Sequence, residues 1–183
     1  MNDEKGKIRA KLLEMRRGLS SKDIEEASAA IFQSMLQLDV VKDAEHILIY
    51  SNFDNEVKTA EMTGWLLYQK KNVYLPLVEG REMFAADIKT TLELSDFGVA
   101  QPKWENAKII SPEKLDLIIV PGVAFDKQKN RIGFGMGYYD AFLAKTKAYR
   151  LALAYDFQML DSIPAQPHDQ KMDSIMTQEQ QWV

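Results

Sequence analysis

The run Leu115-Asp116-Leu117-Ile118-Ile119-Val120, closed by Pro121-Gly122, constrains the fold more than any other segment. It is too short for an ordinary helix and far short of the ~18 uninterrupted apolar residues of a membrane span. An apolar, β-branched run of this length fits a strand buried on both faces, as in a sheet covered by helices. His46-Ile47-Leu48-Ile49-Tyr50, Val73 to Leu77 and Leu151 to Tyr155 read as strands too, and Met83 to Ile88 as a further one. The stretches between them read helical. Ile8, Leu12 and Met15 recur at helical spacing, which predicts a first helix of about four turns with Gly18 as its stop. Ser20 with Asp23 makes a capping box for a second helix carrying Ile24, Ala27, Ile31, Met35 and Leu38. Ala60 to Lys71 and Tyr138 to Lys145 predict two more helices, and the stretch after Tyr155, with Pro164 and Pro167, reads as loop-rich. Helices alternating with short apolar strands predict an α/β fold with a largely parallel sheet. Such sheets bind ligands beyond the carboxyl ends of their strands. That places Ser51–Glu56, Pro121–Phe125 and a downstream glycine cluster on one rim.

The 183 residues show no repeat, low-complexity stretch or linker, so a single domain is expected. The absence of cysteine excludes disulfides, a thiolate nucleophile, Fe–S clusters and Cys-ligated zinc. With 23 Lys plus Arg against 27 Asp plus Glu, the net charge of −4 argues against a dedicated nucleic-acid binder. No segment reads as a membrane span, and the charged N-terminal stretch has no apolar core of a secretory signal. The expectation is a cytoplasmic protein, monomeric, acting on small molecules.

The sharpest chemical feature is Arg131-Ile132-Gly133-Phe134-Gly135-Met136-Gly137-Tyr138-Tyr139-Asp140. Glycines let a ligand approach the backbone, and a glycine loop leading into a helix can aim several N–H groups at phosphate. Arg131 could add a bidentate phosphate contact, and Asp140 is a hard oxygen ligand suited to Mg²⁺. The spacing is neither that of a P-loop nor that of a dinucleotide fingerprint, and it serves a tight turn at a helix start equally well.

Three weaker features accompany it. Lys5, Lys7, Arg9, Lys11, Arg16 and Arg17 crowd the first helix, off its expected apolar stripe; they make either a solvated face or a phosphate-binding arm. Ser51-Asn52-Phe53-Asp54-Asn55-Glu56 follows a strand, where a carboxylate and an aromatic ring can recognise an amino-substituted heterocycle or simply form a turn. His168-Asp169 and Asp173 sit near the end, without the G-x-S-x-G elbow or H-E-x-x-H that would make a hydrolase or a zinc protease. Trp104, Phe125, Tyr138 and Tyr139 could stack on a flat ligand, although core packing is the commoner use of such rings.

At these residues the chain resembles the 5-formyltetrahydrofolate cyclo-ligases, also called methenyltetrahydrofolate synthetases. The R-x-G-x-G-x-G-Y-Y-D run from Arg131 to Asp140 matches that family's pattern at every fixed position. So does its approach, Val120 to Asp126. Lys5 to Arg9, Tyr50 to Glu56, Tyr74-Leu75-Pro76, Phe97-Gly98 with Pro102, and His168-Asp169 with Asp173 and Thr177 fit in order. Lys129 stands where the family often has glycine, and Gln178 where it usually has an acid.

The resemblance implies a three-layer α/β sandwich that cyclises 5-formyltetrahydrofolate to 5,10-methenyltetrahydrofolate, with ATP as co-substrate and Mg²⁺ as cofactor. It implies ATP binding by Lys5, Gly6, Lys7, Ile8 and Arg9 together with Arg131, Ile132, Gly133, Phe134, Gly135, Met136, Gly137, Tyr138 and Tyr139. Arg131 and Lys5 would act in catalysis. Ser51, Phe53, Glu56, Trp104 and Tyr138 would hold the folate, and Asp140 with Asp173 the metal. A phosphotransferase with another acceptor, and a folate-sequestering protein without turnover, are the competing readings.

Overall fold

A computed structural model describes residues 2–95 and 98–183, so Phe97 of the resemblance lies outside the described residues. The helices are α1 (Asn2–Arg17), α2 (Ser21–Met35), α3 (Asp39–Asp43), α4 (Ala60–Tyr68) and α5 (Tyr138–Leu143). The strands begin with β1 (His46–Leu48), β2 (Asn72–Glu79), β3 (Glu82–Asp87), β4 (Leu92–Leu94), β5 (Ala100–Pro102), β6 (Ile109–Ile110) and β7 (Leu117–Val120). They continue with β8 (Ala124–Asp126), β9 (Arg131–Ile132), β10 (Tyr149–Leu153), β11 (Met159–Leu160), β12 (Ser174–Met176) and β13 (Gln181–Trp182).

The central sheet has eight strands in the order β13-β12-β10-β7-β1-β2-β3-β6. Its middle, from β12 through β10, β7 and β1 to β2, is parallel. The edges β13, β3 and β6 are antiparallel. β7 sits at the centre, and Leu117, Ile118, Ile119 and Val120 are each 0% exposed. Each such side chain contributes about 1.5–3 kcal/mol of burial. Its residues alternate between two cores. Leu117 and Ile119 pack with Ile31, Met35, Met62 and Leu66 of α2 and α4. Ile118 and Val120 pack on the opposite face with Phe142 and Leu143 of α5. The α/β architecture with a mostly parallel sheet between helical layers is therefore as the sequence predicts.

The details depart from the periodicity in instructive places. The capping box forms: Ser20 Oγ accepts the Asp23 N–H at 3.1 Å, and Asp23 Oδ2 accepts the Ser20 N–H at 3.2 Å. But α2 stops at Met35, and Leu38, expected on it, instead takes extended geometry to start α3. α4 stops at Tyr68, short of Lys71, because Lys70 turns into the left-handed region at φ 62°. The chain after Tyr155 is loop-rich, as expected, and also carries β11, β12 and β13, too short for any period to show.

The largest correction concerns α1. Met15 is 43% exposed, whereas Arg16 is 1% exposed. Lys5, Arg9, Leu12 and Arg16 share an inward face, with Ile8 and Leu13 packed partly buried beside Leu12, so of the expected stripe only Met15 turns outward. Leu12 packs against Val123, Ala124, Ile132 and Ile163, beside the small sheet of β8, β9 and β11. Helix α1 thus straps loops together rather than covering the main sheet.

Candidate active site

A cavity of about 670 Å³ opens beyond the carboxyl ends of β1 and β7. Tyr50, Ser51, Phe53 and Glu56 enter it from the chain after β1, and Pro121 from the end of β7. The whole glycine loop, Ile132 to Tyr138, forms one wall, with Tyr139 and Asp140 below it. Pro76, Val78 and Met83 of the β2–β3 hairpin supply an apolar wall, and Gln166, His168, Asp169 and Gln170 close the far side.

The glycine loop is held from behind by Asp126, which is 0% exposed. Its Oδ1 accepts the N–H groups of Gln128 and Asn130 at 3.0 and 2.9 Å. Its Oδ2 accepts Asn130 Nδ2 at 2.9 Å and the Ile163 N–H at 3.0 Å. Lys129, the residue standing in for glycine, adopts φ 65°, so the turn is kept with a side chain in the left-handed region. Gly135 and Gly137 lie at φ 100° and 76°, conformations that exclude most side chains. Among the described residues, none accepts a hydrogen bond from the N–H groups of 134–137. Arg9 fastens the loop by donating from Nε to the Gly133 carbonyl at 2.8 Å.

Cations and carboxylates are already paired at this end. Arg131 is 7% exposed. Its Nη2 donates to Asp140 Oδ1 at 3.0 Å, and its guanidinium lies 5.6 Å from the centre of the Tyr139 ring. The Gln170 N–H also reaches Asp140 Oδ1, at 3.2 Å. Lys5 Nζ donates to Asp169 Oδ2 at 2.6 Å. Burial would raise the Asp169 carboxyl, but the Lys5 and Gln166 hydrogen bonds and the Lys5 charge outweigh it and hold it below the usual carboxylate range.

The opposite end has a different character. Glu56 is 5% exposed; its Oε2 accepts the Phe53 N–H at 3.2 Å, and its Oε1 has no hydrogen-bond partner among the described residues. Burial raises its carboxyl to about 7, with Asp54 adding and the Arg16 charge and the Phe53 N–H opposing. The buried Tyr139 hydroxyl is likewise without a partner among the described residues. Burial, and then the charge of Glu56, push it far above the usual phenol range, against the pull of Arg131. Phe53 meets Phe134 of the glycine loop with ring centres 5.0 Å apart, so the two ends touch through an aromatic bridge.

Most of the residues singled out in the sequence converge here: Lys5, Arg9, Ser51, Phe53, Glu56, Arg131, the loop 132–137, Tyr138, Tyr139 and Asp140. Four groups do not. Gly6, Lys7 and Ile8 turn away along α1, and Ile8 packs on the Leu12 cluster. Trp104 stands outside the cavity, 42% exposed, its ring 5.3 Å from that of Phe84. Asp173 does not join Asp140, because its Oδ2 accepts the Arg150 N–H at 2.8 Å beside the start of β10. Asp173 does not line the cavity that Asp140 lines. Among the described residues no three His, Cys, Asp or Glu side chains converge as a metal shell. Asp140, lining the same cavity as Asp169, fits a hard cation that keeps several waters and takes one or two carboxylates plus substrate phosphates. The periodicity of the sequence missed Tyr50 and Met83, which read only as strand residues, and Val78, which lies just past the strand read over Val73 to Leu77. It also missed Arg16 behind Glu56, whose sole signal is its place eleven residues after Lys5 on one helical face.

The chain matches the 5-formyltetrahydrofolate cyclo-ligase family over residues 1–178. It is 30% identical to the 5-formyltetrahydrofolate cyclo-ligase of Haemophilus influenzae, over 96% of this chain and 99% of that one. It is 31% identical to the probable 5-formyltetrahydrofolate cyclo-ligase of Schizosaccharomyces pombe, over 98% and 97%. The NMR structure of Aquifex aeolicus 5,10-methenyltetrahydrofolate synthetase superposes with a TM-score of 0.87 at 30% identity, covering 97% of this chain and 91% of that one.

Proposed function

The chain belongs to the 5-formyltetrahydrofolate cyclo-ligase family, and from that premise we propose that it converts 5-formyltetrahydrofolate and ATP to 5,10-methenyltetrahydrofolate, ADP and phosphate. The observation that carries this reading is a single cavity with two unlike ends. One offers unpaired loop N–H groups flanked by Lys5, Arg9 and Arg131, and the other a buried carboxylate with aromatic rings.

The first end suits the ATP phosphates. The N–H groups of 134–137 point at no other acceptor among the described residues, and Arg131 and Lys5 bring positive charge. Phosphoryl transfer needs positioning and charge neutralisation more than covalent help from the protein. When bound, Mg²⁺ would take Asp140 as a protein ligand and neutralise phosphate charge.

The second end suits the pterin ring. Glu56 Oε1 can accept from the ring N–H groups, and Phe53 can stack on its face. The apolar wall of Pro76, Val78 and Met83 excludes water from the reacting centre.

The step these groups serve starts from a formamide oxygen, which is a poor leaving group. That oxygen attacks the γ-phosphorus and ADP departs. N10 then attacks the activated formyl carbon, and as the five-membered ring closes phosphate leaves carrying the N10 proton as hydrogen phosphate. No protein nucleophile is required. Arg131 and the loop N–H groups stabilise charge on the transferring phosphoryl group, and Glu56 fixes the ring so that the formyl oxygen faces it.

The test is spectrophotometric. Protein, 5-formyltetrahydrofolate, ATP and Mg²⁺ should give the absorbance of the conjugated methenyl product, dependent on ATP. Folate binding without product would favour sequestration, and no folate binding would leave a nucleotide site with another acceptor.

A further inference from the structure

Behind Glu56, outside the cavity wall, lies the most deeply buried charge of helix α1. Arg16 is 1% exposed. Its Nε donates to the Asp54 carbonyl at 2.8 Å, and its Nη2 lies 3.5 Å from Asp54 Oδ2. Its own carbonyl accepts Asn55 Nδ2 at 3.3 Å. These bonds grip a loop in which Asp54 and Asn55 both take positive φ, 47° and 58°, so Arg16 fixes the turn that delivers Glu56.

The charge of Asp54 is met chiefly from the solvent side. Arg17 donates to it from Nε at 2.9 Å and from Nη2 at 3.0 Å. What remains for Arg16 is Glu56: Arg16 Nη1 is 3.9 Å from Glu56 Oε1, and neither atom has a hydrogen-bond partner among the described residues. The other ionisable groups facing Glu56 are Asp54 on its own loop, Tyr50 after β1, Tyr139 on α5 and Tyr155 after β10. None is a cation. Arg131 lies beyond Tyr139, against the ring.

We infer that Arg16 is a positioning residue for the folate, the counter-charge that keeps Glu56 a carboxylate and aims it at the ring N–H groups. This rests on the reading of Glu56 given above. A carboxylate this buried, with only one N–H donor of its own, needs an opposite charge to stay ionised near neutrality. Arg16 supplies that charge at a distance that leaves Oε1 open to a ligand's donor. Its guanidinium also lies 5.4 Å from the centre of the Phe134 ring, so the same residue steadies the aromatic bridge between the two ends.

The experiment follows the Glu56 carboxyl by carbon-13 NMR across pH, without substrates, in the parent protein, Arg16→Gln and Arg16→Lys. In Arg16→Gln the midpoint, about 7 in the parent, should rise by about one pH unit or more; Arg16→Lys should bring it back. In the cyclisation assay, the KM for 5-formyltetrahydrofolate of Arg16→Gln should rise about fivefold or more at pH 7, since a midpoint one unit higher cuts the ionised fraction from about a half to about a tenth. It should approach the parent's value near pH 9, with the KM for ATP unchanged throughout. A merely structural Arg16 would leave the Glu56 midpoint in place and raise the folate KM equally at both pH values; either result overturns the inference. If the parent makes no methenyl product, the cyclisation reading fails while the titration still decides whether Arg16 holds the charge of Glu56. Should Arg16→Gln not fold, Arg16→Gln with Glu56→Gln removes both charges at once. Recovery of folding in that pair supports the inference, and continued unfolding contradicts it.

Discussion

At the glycine-loop end of the cavity, cations and carboxylates are matched before any ligand arrives: Lys5 with Asp169, Arg131 with Asp140. At the Glu56 end, a carboxylate is buried with one of its oxygens unsatisfied and, among the described residues, its nearest cation 3.9 Å away. An anion entering the first end exchanges partners with groups already charged and already in place. A ring bearing N–H groups entering the second end supplies hydrogen bonds the protein lacks. The first end is therefore built for strong, rather general recognition of phosphate. The second discriminates, because a site that leaves a buried polar group unpaired penalises any ligand that does not pair it.

The comparison is broken most severely at Arg131. Arg131→Ala removes a buried cation at the loop and the ion pair of Asp140, so kcat/KM should fall by about 10²–10³, with circular dichroism confirming the fold. A loss under tenfold would mean that the loop N–H groups suffice alone. Next, Glu56→Gln removes a charge-assisted contact. It should raise the KM for 5-formyltetrahydrofolate by about 10–100-fold, since such bonds are worth about 1.5–3 kcal/mol.

The pH dependence sharpens the same contrast. Glu56 is raised to about 7 from an ordinary 4.5, so the folded chain holds this proton where the unfolded chain has lost it. Its contribution to stability is full below 4.5 and is lost as pH rises through about 7. Folate binding runs the other way, strengthening as Glu56 ionises. Urea melts at pH 5 and pH 8 should show the parent losing roughly 2–3 kcal/mol relative to Glu56→Gln, while the parent's folate KM falls over the same interval. Parallel melts for the two proteins would remove Glu56 from the account.

The architecture was legible because it rests on patterns with a period. β7 announces itself by an unbroken apolar run, and the Ser20–Asp23 box forms as its spacing requires. The glycine loop was legible because three glycines in alternation have few conformational uses. What escaped was fixed by tertiary contact. Arg16 looks like one more surface cation until α1 is laid across the loops, when it becomes the most buried residue of its helix. Asp173 looks like a metal ligand until the backbone of Arg150 claims it. Trp104 looks like a stacking platform until the fold sets it outside the cavity, beside Phe84. In each case the residue type was right for the chemistry, but a neighbour distant in sequence decided its partner.

Two smaller effects follow from those placements. Trp104→Ala should leave both KM values within about twofold, as expected for a side chain that lines neither end. Lys129→Gly relieves a left-handed residue at φ 65° but gives up the Lys129 Nζ bond to the Asp173 carbonyl. Its stability should rise by about 0.5–1 kcal/mol at most, read from the shift of a urea midpoint.

The most direct test of two unlike ends is a reciprocal binding experiment by isothermal titration, with ATP and with 5-formyltetrahydrofolate, on Glu56→Gln and Arg131→Ala. The account predicts that Glu56→Gln loses folate affinity by about tenfold or more and keeps ATP affinity, while Arg131→Ala does the reverse. If both variants weaken both ligands to the same degree, the cavity has no division of labour and the account is wrong.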